Sequence, residues 1–270
     1  SLLLNTPEKE LRNNSQVILS MLPEDEAIQA ATTLSRKSYL SPVVLSHKDT
    51  ASKRIAQAFT DQWQLINGYT PEVVYFDKGK KMQQQLIASL DVDSSQARIE
   101  DLKIRLRQSL KTESRNRRDI DMFYLVGSPA ETRLLKPYID VNTSPFATII
   151  PVYASSRSHS TKQDPSILSD LRNLVFTEMP WLLNSQQQNT QLANLSKSLW
   201  PSRSDSLQRI FAMGYDSLYL VDKLAAMHQR PYVRHYGQTG ILKLDDNNIL
   251  TRSLLWGIYQ NGKVSEIAMD

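Results

Sequence analysis

A run of hydroxyl, cationic and imidazole side chains follows the apolar stretch "FATII". In "PVYASSRSH" these side chains come from Ser155, Ser156, Arg157 and His159. A serine near a histidine can act as a nucleophile with its general base, whereas several hydroxyls with an arginine can hold an anion. A polar loop after a buried strand has the same composition. The residues alone leave these three interpretations open.

Two further polar segments follow predicted strands. They are "SHKDT", which begins with Ser46 and His47, and "GSPAE", which contains Ser128. In open α/β sheets, ligands bind beyond the carboxyl ends of the parallel strands. We therefore expect both segments to share one edge of a sheet with the serine-rich run. Such an edge suits a polar or anionic small ligand, or a polar face packed against a second domain.

Ser128 lies at a predicted strand-to-helix turn, as the serine of a G-x-S-x-G nucleophile elbow does. The stretch "VGSPA" lacks the second glycine of that motif. Pro129 and Glu131 instead suit the first turn of a helix with Ser128 as its N-cap. We therefore predict a helix cap. A hydrolase that uses Ser128 or Ser155 with His159 is the least favoured interpretation.

The motifs of common catalytic and cofactor sites are missing from the sequence. It contains no Walker A motif, no G-x-G-x-x-G, no H-E-x-x-H, no calcium-binding loop and no cysteine. The four histidines (His47, His159, His228 and His235) show no metal-ligand spacing. We therefore predict no metal site, no cofactor and no catalytic residue.

Short apolar runs alternate with helical patterns through the first half of the chain. The runs predict strands at 41–46, 71–76, 120–127 and 146–153. Between the first two strands, one face of a helix that Gly68 can end is predicted by the spacing of Ile55, Phe59, Trp63 and Ile66. Alternating strands and helices predict an α/β fold with a parallel sheet covered on both faces, in three layers.

The second half of the chain has a different pattern. Residues 206–228 predict one long helix with a broad apolar face. The tail reads as strands joined by turns, and Asn261–Gly262 is a strong hairpin signal. The chain has 270 residues, enough for two linked domains. Nowhere does an apolar run reach the length of a membrane span.

Residues 78–118 carry the net positive charge of the protein. This segment has a net charge of +6, whereas the whole chain carries +4, so the remainder is acidic. Leucine spacing predicts two amphipathic helices, which form either a solvated cover or a surface for a partner. Nucleic acid is not expected, because no aromatic residues alternate with the basic ones. The candidate partner-binding residues are Arg105, Arg107, Arg115, Arg117 and Arg118.

The order of several longer stretches resembles the C-terminal domain of the LpoA (LppC) outer-membrane lipoproteins. These stretches include "PVVLSHKDTASKRIAQAF", "DMFYLVGSPAETRLLKPYI", "VYASSRS" and "TGILKLDDNNILTRSLLW". The resemblance implies a type I periplasmic-binding-protein-like fold with two α/β lobes and a cleft between them. Residues 1–22 and 175–250 would form lobe one, and 24–172 and 251–270 lobe two, with 78–118 as a helical insertion. We expect an internal fragment, because the family carries further strands of lobe one upstream.

The resemblance also implies a function. Members of that family activate a class A penicillin-binding protein, a bifunctional peptidoglycan synthase, and are not enzymes. The expected partners are therefore this synthase and peptidoglycan. The expected location is the periplasmic side of the outer membrane, held by a lipid anchor outside this fragment.

The alternative is a periplasmic solute-binding protein that takes a small polar or anionic ligand between the lobes. Two groups of side chains would line its cleft. One lobe would contribute Ser46, His47, Ser128, Ser155, Ser156 and Arg157, and the other Glu178, Tyr215 and Asp216.

Overall fold

The apolar runs of the first half form the middle of a seven-stranded sheet. The computed structural model describes residues 1–5, 16–77, 82, 84–85, 100–101, 103–106, 119–142, 149–162, 164–183 and 185–269. The sheet order is β12-β11-β7-β6-β5-β3-β4. The parallel strands are β3 (Pro42–His47), β4 (Glu72–Phe76), β5 (Met122–Val126), β6 (Val152–Ala154) and β7 (Val175–Glu178).

The central strands of this sheet are buried on both faces. In β5, Phe123 and Leu125 pack into the core on one side of the sheet, and Tyr124 and Val126 into the core on the other. Successive side chains of a strand point to opposite faces, so a continuous apolar run needs cover on both sides. The three-layer prediction is confirmed.

Two helices cover one face of the seven-stranded sheet. They are α1 (Pro23–Leu34) and α2 (Thr50–Asn67). The Asp49 side chain accepts a hydrogen bond from the Ser52 amide at the start of α2, and Gly68 ends the helix with φ of 81°. A positive φ at a helix C-terminus favours glycine. Three of the four residues of the predicted face of α2 are buried, whereas Ile66 in its last turn is 44% exposed. The ring of Phe59 stacks on Tyr124 with centroids 4.2 Å apart.

The opposite face is covered by α3 (Pro129–Asn142) and α4 (Pro165–Asp170). At the far edge of the sheet, β11 (Leu255–Gln260) and β12 (Lys263–Ile267) form the predicted hairpin. Asn261 and Gly262 both have positive φ angles, 53° and 69°, as a two-residue type I′ turn requires.

A second sheet has five strands in the order β1-β2-β10-β9-β8. Its strands are β1 (Leu2–Leu3), β2 (Val17–Leu19), β8 (His235–Tyr236), β9 (Ile241–Leu244) and β10 (Ile249–Ser253). The helix predicted over 206–228 is divided, because α7 (Asp205–Val221) ends before α8 (Leu224–Gln229) begins. Both helices pack on this sheet through Met213, Leu220 and Met227. Before them lie α5 (Pro180–Leu183) and α6 (Thr190–Leu199).

The strands of the two sheets do not follow two of the predicted lobe boundaries. β7 belongs to the seven-stranded sheet, although we assigned residues from 175 onward to lobe one. The end of β10, up to Ser253, belongs to the five-stranded sheet, although we placed it in lobe two. β7 is held by pairing with β6 and with the distant β11, and such pairing leaves no local sequence pattern. The last predicted strand of the first half is also shorter, since β6 begins only at Val152.

Little of the basic insertion lies among the described residues. Residues 100–101 and 103–106 are helical, and Arg105 forms an exposed ion pair with Asp101 at 2.7 Å. Arg107, Arg115, Arg117 and Arg118 lie outside the described residues, as does most of both predicted helices. In the described part of the chain, no helix has the length and hydropathy needed to cross a bilayer.

Candidate functional site

Three polar loops meet at the carboxyl ends of β3, β5 and β6. Arg157 lies 3.7 Å from Asp49, and Nε2 of His47 lies 3.6 Å from Glu131. Ser158 Oγ donates a hydrogen bond to the carbonyl oxygen of Gly127 at 3.2 Å. The structure therefore brings together three segments. We call the segment that begins at Ser46 the first loop, the one that begins at Gly127 the second loop, and the one that begins at Tyr153 the third loop.

At the first loop, Ser46 and His47 have different surroundings. Ser46 is fully buried, and its hydroxyl donates to the carbonyl oxygen of His47. Nδ1 of His47 lies 2.7 Å from Asp49 Oδ2. Burial would raise the pKa of Asp49, but hydrogen bonds from Ser52 and His47, together with Arg157, hold it well below its usual value. Asp49 is thus an anion, and it lies beside Arg157 at the same edge of the seven-stranded sheet.

Ser128 caps α3. Its hydroxyl oxygen accepts a hydrogen bond from the Glu131 amide at 3.4 Å, and its own amide donates to Glu131 Oε2 at 2.8 Å. This reciprocal pair is a capping box. The cap prediction is confirmed, and it accounts for the serine at the strand-to-helix turn.

At the third loop, Ser155 and Ser156 face inward. Ser155 is fully buried, and its Oγ has no hydrogen-bond partner among the described residues. The hydroxyl of Ser156 donates to Glu26 Oε2 at 2.8 Å, and the Ser156 amide and Thr177 hydroxyl donate to Oε1. Burial raises the pKa of Glu26, and these hydrogen bonds oppose the rise.

The role of Glu26 was missed at the sequence level. It lies in an acidic first turn of α1, where a carboxylate is expected to face the helix N-terminus and solvent. Glu26 is nevertheless buried, and the positive charge of Arg252, which belongs to β10 in the other sheet, favours its ionised form. Burial lowers the pKa of that arginine. Burial also raises the pKa of the neighbouring Asp25 to about 6, against the attraction of Arg252. This group of buried charges lies between the two sheets.

Glu178 accepts hydrogen bonds from three directions. Its Oε2 lies 2.8 Å from His159 Nδ1 and pairs with Arg209 Nη2 from α7, and its Oε1 accepts from the Met179 amide. Arg209 also donates to the carbonyl oxygen of Ser156 at 3.2 Å. Glu178 was predicted to face the cleft from lobe one. It instead ends β7 of the seven-stranded sheet and is fully buried.

A carboxylate at the start of α7 also binds this edge. Asp205 accepts hydrogen bonds from the Ser160 hydroxyl at 2.9 Å and from the Thr161 amide and hydroxyl. Burial opposes ionisation of Asp205, but these hydroxyls lower its pKa overall. We call the contacts of Asp205 and Arg209 with Glu178 and residues 156–161 the clasp. The clasp joins the helix that packs on the five-stranded sheet to the edge of the seven-stranded sheet.

Tyr215 and Asp216 lie further along α7, and their hydrogen bonds do not reach the three loops. Oδ2 of Asp216 accepts from the amide and hydroxyl of Thr239, and Oδ1 accepts from the Gln238 amide, all within 2.8 Å. Tyr215 accepts a hydrogen bond from Asn189 at 3.2 Å. Asp216 therefore anchors the turn before β9.

Among the described residues, no serine hydroxyl is hydrogen-bonded to the histidine of the third loop. His159 is oriented by Glu178, as a catalytic base would be, but its buried Nε2 has no hydrogen-bond partner among the described residues. The Ser128 hydroxyl is used in the helix cap. Nor do the described residues contain a group of three or more His, Asp or Glu able to hold a metal ion. The geometry supports ion pairing between two parts of the molecule.

Comparison with curated proteins identifies relatives along almost the whole chain. The penicillin-binding protein activator LpoA of Aliivibrio fischeri is 32% identical over 258 residues, which cover 96% of this chain. The protein of the same name from Photobacterium profundum is 31% identical over 268 residues. The chain spans 42% and 43% of the lengths of these two relatives.

Solved structures share the fold. The C-domain of LpoA from Haemophilus influenzae, described as a regulator of PBP1A, superposes with a TM-score of 0.71 at 23% identity, covering 99% of this chain and 74% of that one. A putative branched-chain amino acid ABC transporter protein from Chromobacterium violaceum superposes with a TM-score of 0.67 at 23% identity, covering 95% and 72%. These similarities confirm the type I periplasmic-binding-protein-like fold.

The family assignment follows from a match that extends over nearly the full sequence. The model of the family described as LppC putative lipoprotein matches residues 1–262. The chain belongs to the LppC lipoprotein family.

Proposed function

We propose that this chain is a regulatory domain that binds and activates a class A penicillin-binding protein, a bifunctional peptidoglycan synthase. The observation that carries the proposal is the match to proteins named penicillin-binding protein activator over 96% of this chain. An activator must bind the active conformation of its target more tightly than the inactive one. The domain would act by that difference in affinity.

We further propose that the domain has no catalytic activity of its own. The clasp supports this, since Glu178 and Arg209 neutralise each other and the hydroxyls of Ser156 and Thr161 bind carboxylates. Groups that are already paired inside the protein are poorly placed to act on a substrate. The same pairing weakens the alternative of a small polar or anionic ligand held by Ser156 and Glu178 in the cleft.

We propose that the full-length protein is held at the outer membrane by a lipid, with this domain on the periplasmic side. The family description as lipoprotein supports an anchor of this kind. Peptidoglycan is the proposed second partner, because the synthase and its product occupy that compartment.

The basic insertion is the proposed contact with the synthase. Arg105 is mostly exposed, and its only described ion pair is with Asp101 in the next turn. Exposed pairs of this type contribute little to stability. Arg105 can therefore leave this pair and bind an acidic surface of a partner with little loss of stability. Segment 78–118 has a net charge of +6, whereas the rest of the chain is slightly acidic. This charge favours steering towards an acidic surface.

The proposal is tested with a purified class A synthase and two matched variants. In the first, glutamate replaces Arg105, Arg107, Arg115, Arg117 and Arg118. In the second, glutamate replaces exposed basic residues elsewhere, namely Arg36, Lys37, Arg172, Arg230 and Lys263. The measurements are binding by calorimetry and glycan polymerisation with and without the domain.

We expect the unchanged domain to bind and to raise the synthase rate. The first variant should bind about tenfold more weakly or worse, because five repulsive charges replace five attractive ones. The second variant, with the same change in net charge, should bind nearly as the unchanged domain does. Full binding by the first variant would exclude the insertion as the contact, and no binding by the unchanged domain would overturn the proposed function itself.

A further inference from the structure

A pocket of about 330 Å³ lies beside the clasp, between α5, α6 and the start of α7. Thr161 lies on the side of the clasp, and the lining residues that the proposal uses include Trp181, Lys197, Trp200 and Arg203. A volume of this size is within the range of about 300–1,000 Å³ found for small-molecule sites. None of the candidate residues predicted from the sequence lies in its lining.

Two hydrogen-bond donors in this lining are buried and unused. Trp181 is only 4% exposed, and its indole Nε1 has no partner among the described residues. Nη1 of Arg203 is also buried and has no hydrogen-bond partner among the described residues. Leaving a buried donor unsatisfied is unfavourable, so native proteins rarely do it without a reason. A ligand with acceptor oxygens would satisfy both donors.

The charges of the lining favour an anion. Lys197 and Arg203 are its two cations, and neither forms an ion pair with a described residue. None of the lining residues is an aspartate or glutamate. The nearest carboxylate of the clasp, Asp205, is already occupied by the hydroxyls of Ser160 and Thr161. Carboxylates and phosphates are the anions that arginine recognises best, by paired charge-assisted hydrogen bonds.

Aromatic rings hold Arg203 in position and provide an apolar wall. Its guanidinium carbon lies 4.5 Å from the ring centre of Trp200 and 4.3 Å from that of Phe211. The ring of Phe211 also contacts Trp181, with centroids 5.2 Å apart. A guanidinium stacked in this way loses little further freedom on binding. Trp200 is 53% exposed, so its indole can pack against the apolar face of a ring.

We propose that this pocket binds a small anionic sugar, with the carboxylate or phosphate on Arg203 and Trp181 and the sugar ring against Trp200. Sugar rings offer both an apolar C–H face for an indole and hydroxyls for the polar groups of Gln188, Ser196 and Gln208. The proposal does not depend on the proposed regulation of a synthase.

Calorimetric titration with matched sugars tests this site. N-acetylmuramic acid carries a carboxylate that N-acetylglucosamine lacks, and glucose 6-phosphate carries a phosphate that glucose lacks. We expect one or both anionic sugars to bind, and the neutral members of both pairs to bind at least about tenfold more weakly, because they cannot form charge-assisted hydrogen bonds with the cations of the pocket. The binding anion identifies whether the site prefers carboxylate or phosphate.

Variants of the two donors test the position of the ligand. Arg203→Gln and Trp181→Phe should each weaken binding about tenfold or more, whereas Arg203→Lys, which keeps the charge, should retain part of it. Arg36→Gln, at an exposed position just after α1 and outside the pocket lining, is the control and should bind as the unchanged protein does. Thermal unfolding of each variant without ligand shows that it is folded.

Three results would overturn the proposal. They are no heat of binding with either anionic sugar, equal binding of the charged and neutral members of a pair, and undiminished binding by Arg203→Gln. Because Arg203 is on a partly exposed loop, its substitution leaves the core intact and keeps the test valid even if Trp181→Phe unfolds the protein.

Discussion

Glu178 connects more parts of the polar edge than any other side chain described above. It is fully buried and holds His159 from the third loop and Arg209 from α7. A carboxylate removed from water in this way is tolerated only because opposite charge and hydrogen bonds replace its hydration. The pair therefore favours one arrangement of α7 against the sheet more than it adds net stability.

Replacing Glu178 tests how much the stability of the fold depends on its ion pair with Arg209. We expect Glu178→Gln to lower the free energy of unfolding by about 3 kcal/mol, because Arg209 keeps its charge but loses the buried carboxylate that binds it. Urea unfolding measures the loss, and Glu266→Gln, at an exposed position of β12, should change stability by less than about 0.5 kcal/mol. The double variant Glu178→Gln with Arg209→Met should recover part of the loss. A single-variant loss below about 1 kcal/mol would mean that the pair is solvated.

At the scale of single elements, α3 depends on its first turn. The capping box of Ser128 and Glu131 satisfies two amides that the helix leaves unpaired. The same turn lies beside His47, so the cap also fixes the first and second loops relative to each other.

A pair of substitutions separates a cap from a nucleophile. We expect Ser128→Ala to lower the free energy of unfolding by about 1 kcal/mol, because the helix loses one side-chain acceptor. Ser128→Thr keeps the hydroxyl and should lose much less. Both variants should activate the synthase as the unchanged domain does, when measured after correction for folded fraction. Equal stability of the alanine variant and the unchanged domain would contradict the role of the cap.

At the scale of the whole molecule, the clasp connects two sheets that have separate cores. Asp205 and Arg209 lie one turn apart at the start of α7, and both bind the edge of the seven-stranded sheet. Relative motion is the usual expectation for two such units unless a large apolar interface joins them. Polar contacts of this kind can open without exposing a core, so the two sheets can move relative to each other at the clasp.

Weakening the clasp should loosen only the segments that form it. We expect Asp205→Asn to raise hydrogen exchange at residues 156–161 and 205–209, with no change in β5, and to lower stability by about 1 kcal/mol at neutral pH. The pKa of Asp205 is lowered in the folded protein. Its contribution is therefore present above the unfolded pKa of about 4 and is lost as the pH falls through the folded value.

The matching control for the clasp is Asp61→Asn. Asp61 accepts a hydrogen bond from Gln57 on the exposed side of α2, far from the clasp. This variant should leave exchange at 156–161 unchanged. If Asp205→Asn left exchange unchanged as well, or raised it equally in β5, then the clasp would not be a local connection between the two sheets.

Much of the fold could be predicted because its signals are local. The strands at 42–47, 72–76 and 122–126 follow from apolar runs, and the ends of α2 follow from Asp49 and Gly68. These features depend on hydrogen bonds and side-chain periodicity within a few residues. The division of the helix predicted over 206–228 was missed, because its apolar pattern continues through the break.

The candidate site could be predicted only in part. The meeting of the three loops follows from the geometry of a parallel sheet, and the structure brings together the segments that begin at Ser46, Gly127 and Tyr153. The partners of these loops were not predicted. Glu26 lies 130 residues from Ser156, and Arg209 lies 31 residues from Glu178, and no pattern links them along the chain.

The sequence by itself determined the α/β class, the main strands, the helix caps, the hairpin and the family. Each of these depends on neighbouring residues or on their order along the chain. Only the tertiary structure decided that β7 joins the seven-stranded sheet, that Glu178 faces Arg209, and that Trp181 and Arg203 share a pocket. The physical reason is that burial and ion pairing depend on distances in space, and folding brings together side chains whose separation along the chain is arbitrary.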